Sequence, residues 1–160
     1  MTVLLPMRPA SFATYVEASV AAYAGDNVRA GRWDKAGAVE RSRADFASLL
    51  PQGLDTPDNF LFEILEREHG PVVGFAWLAL ERKHAPVTAY VYNIEIDAAH
   101  RRKGHAFRAL RALETKAAAA GAQSIGLNVF AFNVEAQALY RKLGYATTNC
   151  NMRKPLRVGS

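Results

Sequence analysis

Residues 87–106 read VTAYVYNIEIDAAHRRKGHA. Val87–Ile96 is dense in β-branched and aromatic side chains and predicts a strand. Asp97–His100 leads out of it, and Arg101-Arg102-Lys103-Gly104 delivers the chain into a helix predicted over Gly104–Ala120. Phe107, Leu110, Leu113 and Ala117 lie on one stripe of that helix, and Gly121 is its C-cap. A strand, a basic turn and a glycine at a helix entrance make an anion-binding arrangement. The first amides of a helix lack intrahelical acceptors and carry roughly half a positive charge. Gly104 lets the backbone approach a ligand, Ala106 adds little bulk beside it, and Arg101, Arg102, Lys103 and Arg108 supply fixed charge. His105 reads as a filler whose amide, not its ring, serves this geometry. Neither GxGxxG nor GxxxxGK[ST] occurs, and a basic triplet before a helix also reads as a solvated surface.

Outward from this stretch the periodicity alternates between strand and helix. Upstream, Val3–Arg8 predicts a strand ended by Pro9. A helix follows from Ser11, its N-cap, to Ala24, stopped by Gly25, and a second covers Lys35–Leu50. Gln52–Asn59 is loop, and Phe60–Glu66 with Val72–Arg82 forms a hairpin about His69-Gly70-Pro71. Downstream, Ser124–Phe130 is a strand, Asn133 caps a helix through Leu143 that Gly144 stops, and Tyr145–Lys154 is a last strand. The order β α α β β β α β α β predicts an α/β fold with a mixed sheet, and no repeat or linker divides residues 1–160.

Ala136, Leu139, Tyr140 and Leu143 share one helical face. In isolation Asn133 reads as an N-cap and Tyr140 as a core aromatic. Taken together, Arg101-x-x-Gly104-x-Ala106 at a strand–helix junction and Asn133-x-x-Ala136-x-x-Leu139-Tyr140-x-x-Leu143-Gly144-Tyr145 resemble the GCN5-related N-acetyltransferase (GNAT) superfamily. The resemblance spans Val3 to Lys154, and its specific part is Tyr90–Tyr145. It implies a mostly antiparallel mixed sheet with a splayed central strand pair and helices on both faces. Residues 87–145 would form an acetyl-CoA-binding core and residues 9–60 the acceptor side of a single domain. Main-chain groups of Ile94, Glu95 and Ile96 would bond the pantetheine arm. The loop Arg101, Arg102, Lys103, Gly104, His105 and Ala106 would hold the pyrophosphate. Asn133 would contact the arm near the thioester, and the Tyr140 hydroxyl would face the sulfur.

The chemistry so implied is transfer of an acetyl group from acetyl-CoA to a primary amine of a small molecule or peptide, by direct attack in a ternary complex. A phenol with a pKa of about 10 is already protonated at neutral pH, so Tyr140 suits the acid that protonates the leaving thiolate. An amide near Ile96 suits the developing charge on the carbonyl oxygen. Glu95 is the only carboxylate within Tyr90–Ile96, and alternation turns it away from Ile94 and Ile96. It reads either as the proton acceptor or anchor for the amine, or as a solvent-facing strand residue, with Asp97 as the alternative base.

The 160 residues carry a net charge of +5 and one cysteine. The charge is uneven: residues 1–70 hold seven basic and ten acidic side chains, residues 71–160 thirteen and five. An acidic acceptor half, with Asp26, Asp34, Glu40 and Asp45, suits a cationic amine, and the basic half suits a polyanion. Trp33 and Tyr23 read either as core or as a wall for that cation. Gly25–Gly37, with three glycines, reads as a gate over the acceptor cleft. The longest apolar run, Pro71–Leu80, is about half the roughly 20 residues a membrane helix needs. Pro6 interrupts the N-terminal apolar run, so no signal peptide is read. A lone Cys150, expected as a small buried hydrophobe on the last strand, fits a reducing cytoplasm. The four histidines show no metal spacing, so no metal is expected. The rival readings are a catalytically silent acetyl-CoA sensor and a basic nucleic-acid-binding module. The basic run is short and lacks interleaved aromatics, which disfavours nucleic acid as a partner. The last strand offers an edge for pairing across a homodimer.

Overall fold

A computed structural model describes residues 1–157. Five strands form one sheet in the order β1-β2-β3-β4-β5: β1 Val3–Pro6, β2 Asn59–Leu65, β3 Val72–Glu81, β4 Thr88–Ile96 and β5 Ile125–Leu127. Neighbours are antiparallel except β4 and β5, which are parallel. Four helices complete the fold: α1 Pro9–Arg29, α2 Ala38–Leu49, α3 His105–Ala119 and α4 Val134–Lys142. None is long and apolar enough to cross a membrane.

The sheet is covered on both faces, so β3 (VVGFAWLALE) is buried almost throughout instead of alternating with polar residues. On one face Ile64, Val73, Leu78 and Val91 pack with Ala109, Leu110 and Leu113 of α3. On the other, Leu61 and Trp77 pack with Tyr15 and Val20 of α1 and Phe46 of α2. Leu110 and Leu113 are fully buried, and each such side chain contributes about 1.5–3 kcal/mol at most.

One irregularity aims the site. Trp77 pairs with Asn93 and Leu78 with Val91, leaving Tyr92 as an extra residue in β4. Tyr92 and Asn93 therefore both reach the α1 face. The Tyr92 ring stacks on Trp77 at 4.5 Å, and the Asn93 Nδ2 donates to Tyr15 Oη at 3.1 Å. Below the bulge the alternation resumes, with Ile96 in the α3 core and Glu95 exposed opposite it.

Several expectations are corrected. Pro9 opens α1 instead of ending β1, because a first-turn proline has no intrahelical bond to lose. Ser11 is not the cap; its hydroxyl donates to Glu63 Oε1 at 2.5 Å. Gly25 does not stop the helix: α1 runs on to Arg29, where buried Asn27 donates to Tyr23 O and accepts from Arg32. The first five residues of the supposed gate Gly25–Gly37 are thus helix, and Trp33 is buried with Ala24 and Ala38. α2 begins at Ala38, not Lys35, and β5 is only Ile125–Leu127. Tyr145–Lys154 forms no strand. Its polar run ATTNCNMRK presents no alternating apolar face, and the short β5 offers little edge to pair with. Cys150 is exposed rather than buried, and this segment provides no strand edge for a dimer.

The start of α1 is pinned to β2 through Glu63, only 3% exposed, which accepts from Arg8 Nε at 3.0 Å and Arg8 Nη2 at 3.1 Å. Burial alone would push this carboxyl up, but the bonds from Arg8 and Ser11 outweigh it and hold the pKa below its ordinary value. A depressed folded-state pKa gives stability that is present above the unfolded value of about 4.3 and is lost as pH falls through the folded one. The urea midpoint is therefore expected to drop between about pH 5 and pH 3, and Glu63→Gln to flatten that slope; an unaltered slope in the variant would count against the assignment.

Candidate functional site

β5 pairs with β4 only at Ala89, Tyr90 and Val91, whereas β3 pairs with β4 down to Ile96. From Tyr92 to Ile96, β4 therefore has an uncovered edge. The Asp97 amide donates to Val73 O of β3 at 2.8 Å, so strand alternation turns the amides and carbonyls of Ile94 and Ile96 to the open side. A cleft of about 1090 Å³ occupies the gap. Ile94, Glu95, Ile96, Arg101, Arg102, Gly104, His105, Ala106, Asn133 and Tyr140 all line it. Of the predicted site residues, Lys103 is not on its wall; its carbonyl accepts from Arg108 Nη2 at 2.8 Å.

The loop into α3 is built as an anion cradle. Arg102 and Gly104 both take left-handed backbone conformations, at φ 62° and 81°. Among the described residues, the amides of Arg102 through Phe107 donate to no backbone or side-chain acceptor. The positive end of α3 adds to that row of donors. A Cβ at Gly104 would come within 2.6 Å of an Arg108 guanidinium nitrogen and would hold a φ that side chains resist. His105 is buried, its Nδ1 lies 3.0 Å from Thr2 Oγ1, and its Nε2 has no partner among the described residues. Burial first, and then Arg108, push its pKa down, which favours the neutral ring.

Arg101 turns back toward the strand. Its Nε donates to Ile96 O at 2.9 Å, and its Nη2 lies 3.8 Å from Glu95 Oε1. Arg102 reaches across the loop to Glu135 at 2.6 Å. Asn133 caps α4 by accepting from the Ala136 amide at 3.3 Å, and its Nδ2 has no partner among the described residues. Tyr140 is half-buried against the α3 core, and burial pushes its phenol pKa up. The neighbouring Tyr145 ring lies 5.8 Å away and donates to Glu114 Oε2 at 3.0 Å; burial and Glu114 push its pKa up further.

On the opposite face, Asn93 joins Tyr15 and Ser19, the latter at 3.4 Å. Burial raises the Tyr15 phenol to about 12, against the hydrogen bonds of Asn93 and Ser19 and with help from the Glu95 charge. Tyr90, Tyr92, Asn93 and Ser19 line the cleft but were not foreseen. Strand alternation would have revealed the two tyrosines, opposite Val91. The bulge that turns Asn93 inward has no local signature. No group of three or more His, Cys, Asp or Glu gathered as for a metal ion occurs among the described residues.

Known proteins resemble this chain in sequence and fold. The family model described as Acetyltransferase (GNAT) family matches residues 27–145. The uncharacterized N-acetyltransferase YycN of Bacillus subtilis (strain 168) is 35% identical over 157 residues, covering 98% of this chain and 100% of that protein. The uncharacterized N-acetyltransferase YdgE of the same organism is 34% identical over 150 residues, covering 94% and 95%. The crystal structure of YycN superposes with a TM-score of 0.93 over 99% of this chain and 100% of that one. The aminoglycoside N-acetyltransferase AAC(6')-Iy in complex with CoA shares the fold, with a TM-score of 0.66 at 13% identity over 99% of this chain and 96% of that one.

Proposed function

The chain belongs to the GNAT family of acetyltransferases, and from that premise we propose that it moves the acetyl group of acetyl-CoA to a primary amine of a small molecule or peptide by direct attack in a ternary complex. The observation that carries this reading is the pairing of an uncovered β4 edge with the row of free amides from Arg102 to Phe107. In this reading the amides hold the pyrophosphate, with Arg102 and Lys103 adding charge. The pantetheine arm runs along Ile94–Ile96 as an added strand. Asn133 Nδ2 meets the arm, and residues 9–60 shape the acceptor side. The lone exposed thiol of Cys150 agrees with a reducing, cytoplasmic setting.

The roles follow from the chemistry. An alkylamine with a pKa near 10.4 costs about 4–5 kcal/mol to hold neutral at pH 7. Glu95, on the acceptor face of β4 beside Asn93, takes that proton directly or through water. The Ile96 carbonyl is engaged by Arg101, which leaves the amides of the open edge to meet charge on the thioester oxygen. Tyr140, kept protonated by burial, donates to the departing sulfur.

Three measurements test these roles. Gly104→Val is expected to weaken CoA binding in calorimetry, and unchanged affinity would remove the loop from the site. Tyr140→Phe should lower kcat by about 100-fold or more with CoA affinity nearly constant; undiminished turnover would reduce the residue to packing. Glu95→Gln should abolish the acidic limb of the pH–rate profile, whereas a persisting limb would point to another base.

A further inference from the structure

A chain of hydrogen bonds ties the anion loop to the edge strand β1. Chain ends usually fray, but Thr2 is only 9% exposed. It precedes β1, whose ladder with β2 starts at the pair Val3 and Leu65 and whose Leu4 is buried in the α3 core. The Thr2 hydroxyl is thereby fixed beside the first turn of α3. Arg108 Nε donates to Thr2 Oγ1 at 2.8 Å, and the same oxygen lies 3.0 Å from His105 Nδ1. Because a guanidinium only donates, the hydroxyl accepts from Arg108 and sends its own proton to His105 Nδ1. Thr2 thus fills a junction that needs an acceptor and a donor on one atom.

Arg108 makes a second bond that steers one peptide plane. Its Nη2 donates to Lys103 O at 2.8 Å. The Lys103–Gly104 peptide is trans, so its carbonyl and its N–H point in opposite directions. Drawing the Lys103 carbonyl back to Arg108 therefore turns the Gly104 amide the other way. Gly104 lines the cleft, whereas Thr2, Lys103 and Arg108 do not. The guanidinium also occupies the space that a Cβ at Gly104 would need. Arg102 keeps a left-handed φ of 62° just before this peptide. A residue with a side chain keeps such a conformation only where its surroundings impose it, and the bond from Arg108 to Lys103 O is such an imposition.

We infer that Thr2 and Arg108 are positioning residues: the hydroxyl aims the guanidinium, the guanidinium holds Lys103 O, and the Gly104 amide is thereby presented to the cleft. Arg108, expected from the sequence as fixed charge for the anion, acts instead through the backbone. This deepens the acetyltransferase reading and rests on its assignment of the loop to the diphosphate of CoA. A loop set in advance binds that group without first being ordered, so the network is read in affinity for the diphosphate and not for the pantetheine arm.

The test compares CoA with pantetheine, which lacks the diphosphate, in the unaltered protein and in Thr2→Val, Thr2→Ser and Arg108→Met. Thr2→Val and Arg108→Met are expected to weaken CoA by about tenfold in calorimetry, and Thr2→Ser, which keeps the hydroxyl, to stay within about twofold. Pantetheine binding, followed by NMR titration, should be the same in all four proteins. Parallel weakening of both ligands would mark a general loss of structure and overturn the inference. So would a Thr2→Val protein that binds CoA as tightly as the unaltered one; were Arg108→Met alone impaired, the guanidinium would be acting by its charge. Those outcomes leave the acetyltransferase reading standing, whereas failure of the unaltered protein to bind CoA would remove both.

Discussion

Backbone groups of β4 between Tyr92 and Ile96 face an edge that no strand of the sheet covers, and the molecule is arranged around keeping that edge open. Parallel pairing with β5 ends after Val91 and Leu127, and the chain beyond Leu127 leaves the sheet to reach Asn133 and α4. On its other edge β4 stays paired with β3 down to Ile96, and Arg101 ties the end of the strand to the loop that follows. The open edge is therefore rigid, since it belongs to a strand anchored on one side and buried beneath α3. Rigidity matters because a ligand that bonds to a preformed edge loses its own freedom without having to order the protein as well.

Two faces of one strand then divide the labour. Ile94 and Ile96 turn toward α3, α4 and Tyr140, while Tyr92, Asn93 and Glu95 turn toward α1 and α2. The bulge at Tyr92 makes this division uneven, placing two successive side chains on the same face. The uneven charge of the chain acquires a spatial meaning here. The basic excess after residue 71 includes Arg101 and Arg102, and the acidic excess before it includes Asp26 and Asp45, so groups of both signs line one cleft.

Much of this was legible in local residue chemistry. Gly104 before a helix, Asn133 as a cap and Gly144 as a stop have conformational requirements that few residues meet, and each stands where such a residue is needed. The β2–β3–β4 meander was legible from its β-branched and aromatic runs. What escaped depends on partners distant in sequence. Ser11 resembles a cap but is bound to Glu63, 52 residues away. Gly25 resembles a stop, yet the packing of Ala24, Asn27 and Val28 carries α1 past it. Tyr145–Lys154 has β-forming residues at its start and no strand to join. The Tyr92 bulge arises from the fit of β4 to β3, which neither strand announces alone.

The uncovered edge of β4 has another side. A row of unpaired amides and carbonyls is a template on which any extended chain, including a neighbouring copy, can add itself and begin a stack. Native sheets blunt such edges with charge, and Glu95 with Arg101 supplies both signs at this one. The Arg101 guanidinium also occupies Ile96 O, so a colliding strand meets a capped acceptor and two hydrated ions before it finds its register. The charges at the rim of the open groove thus oppose the addition of a further strand there.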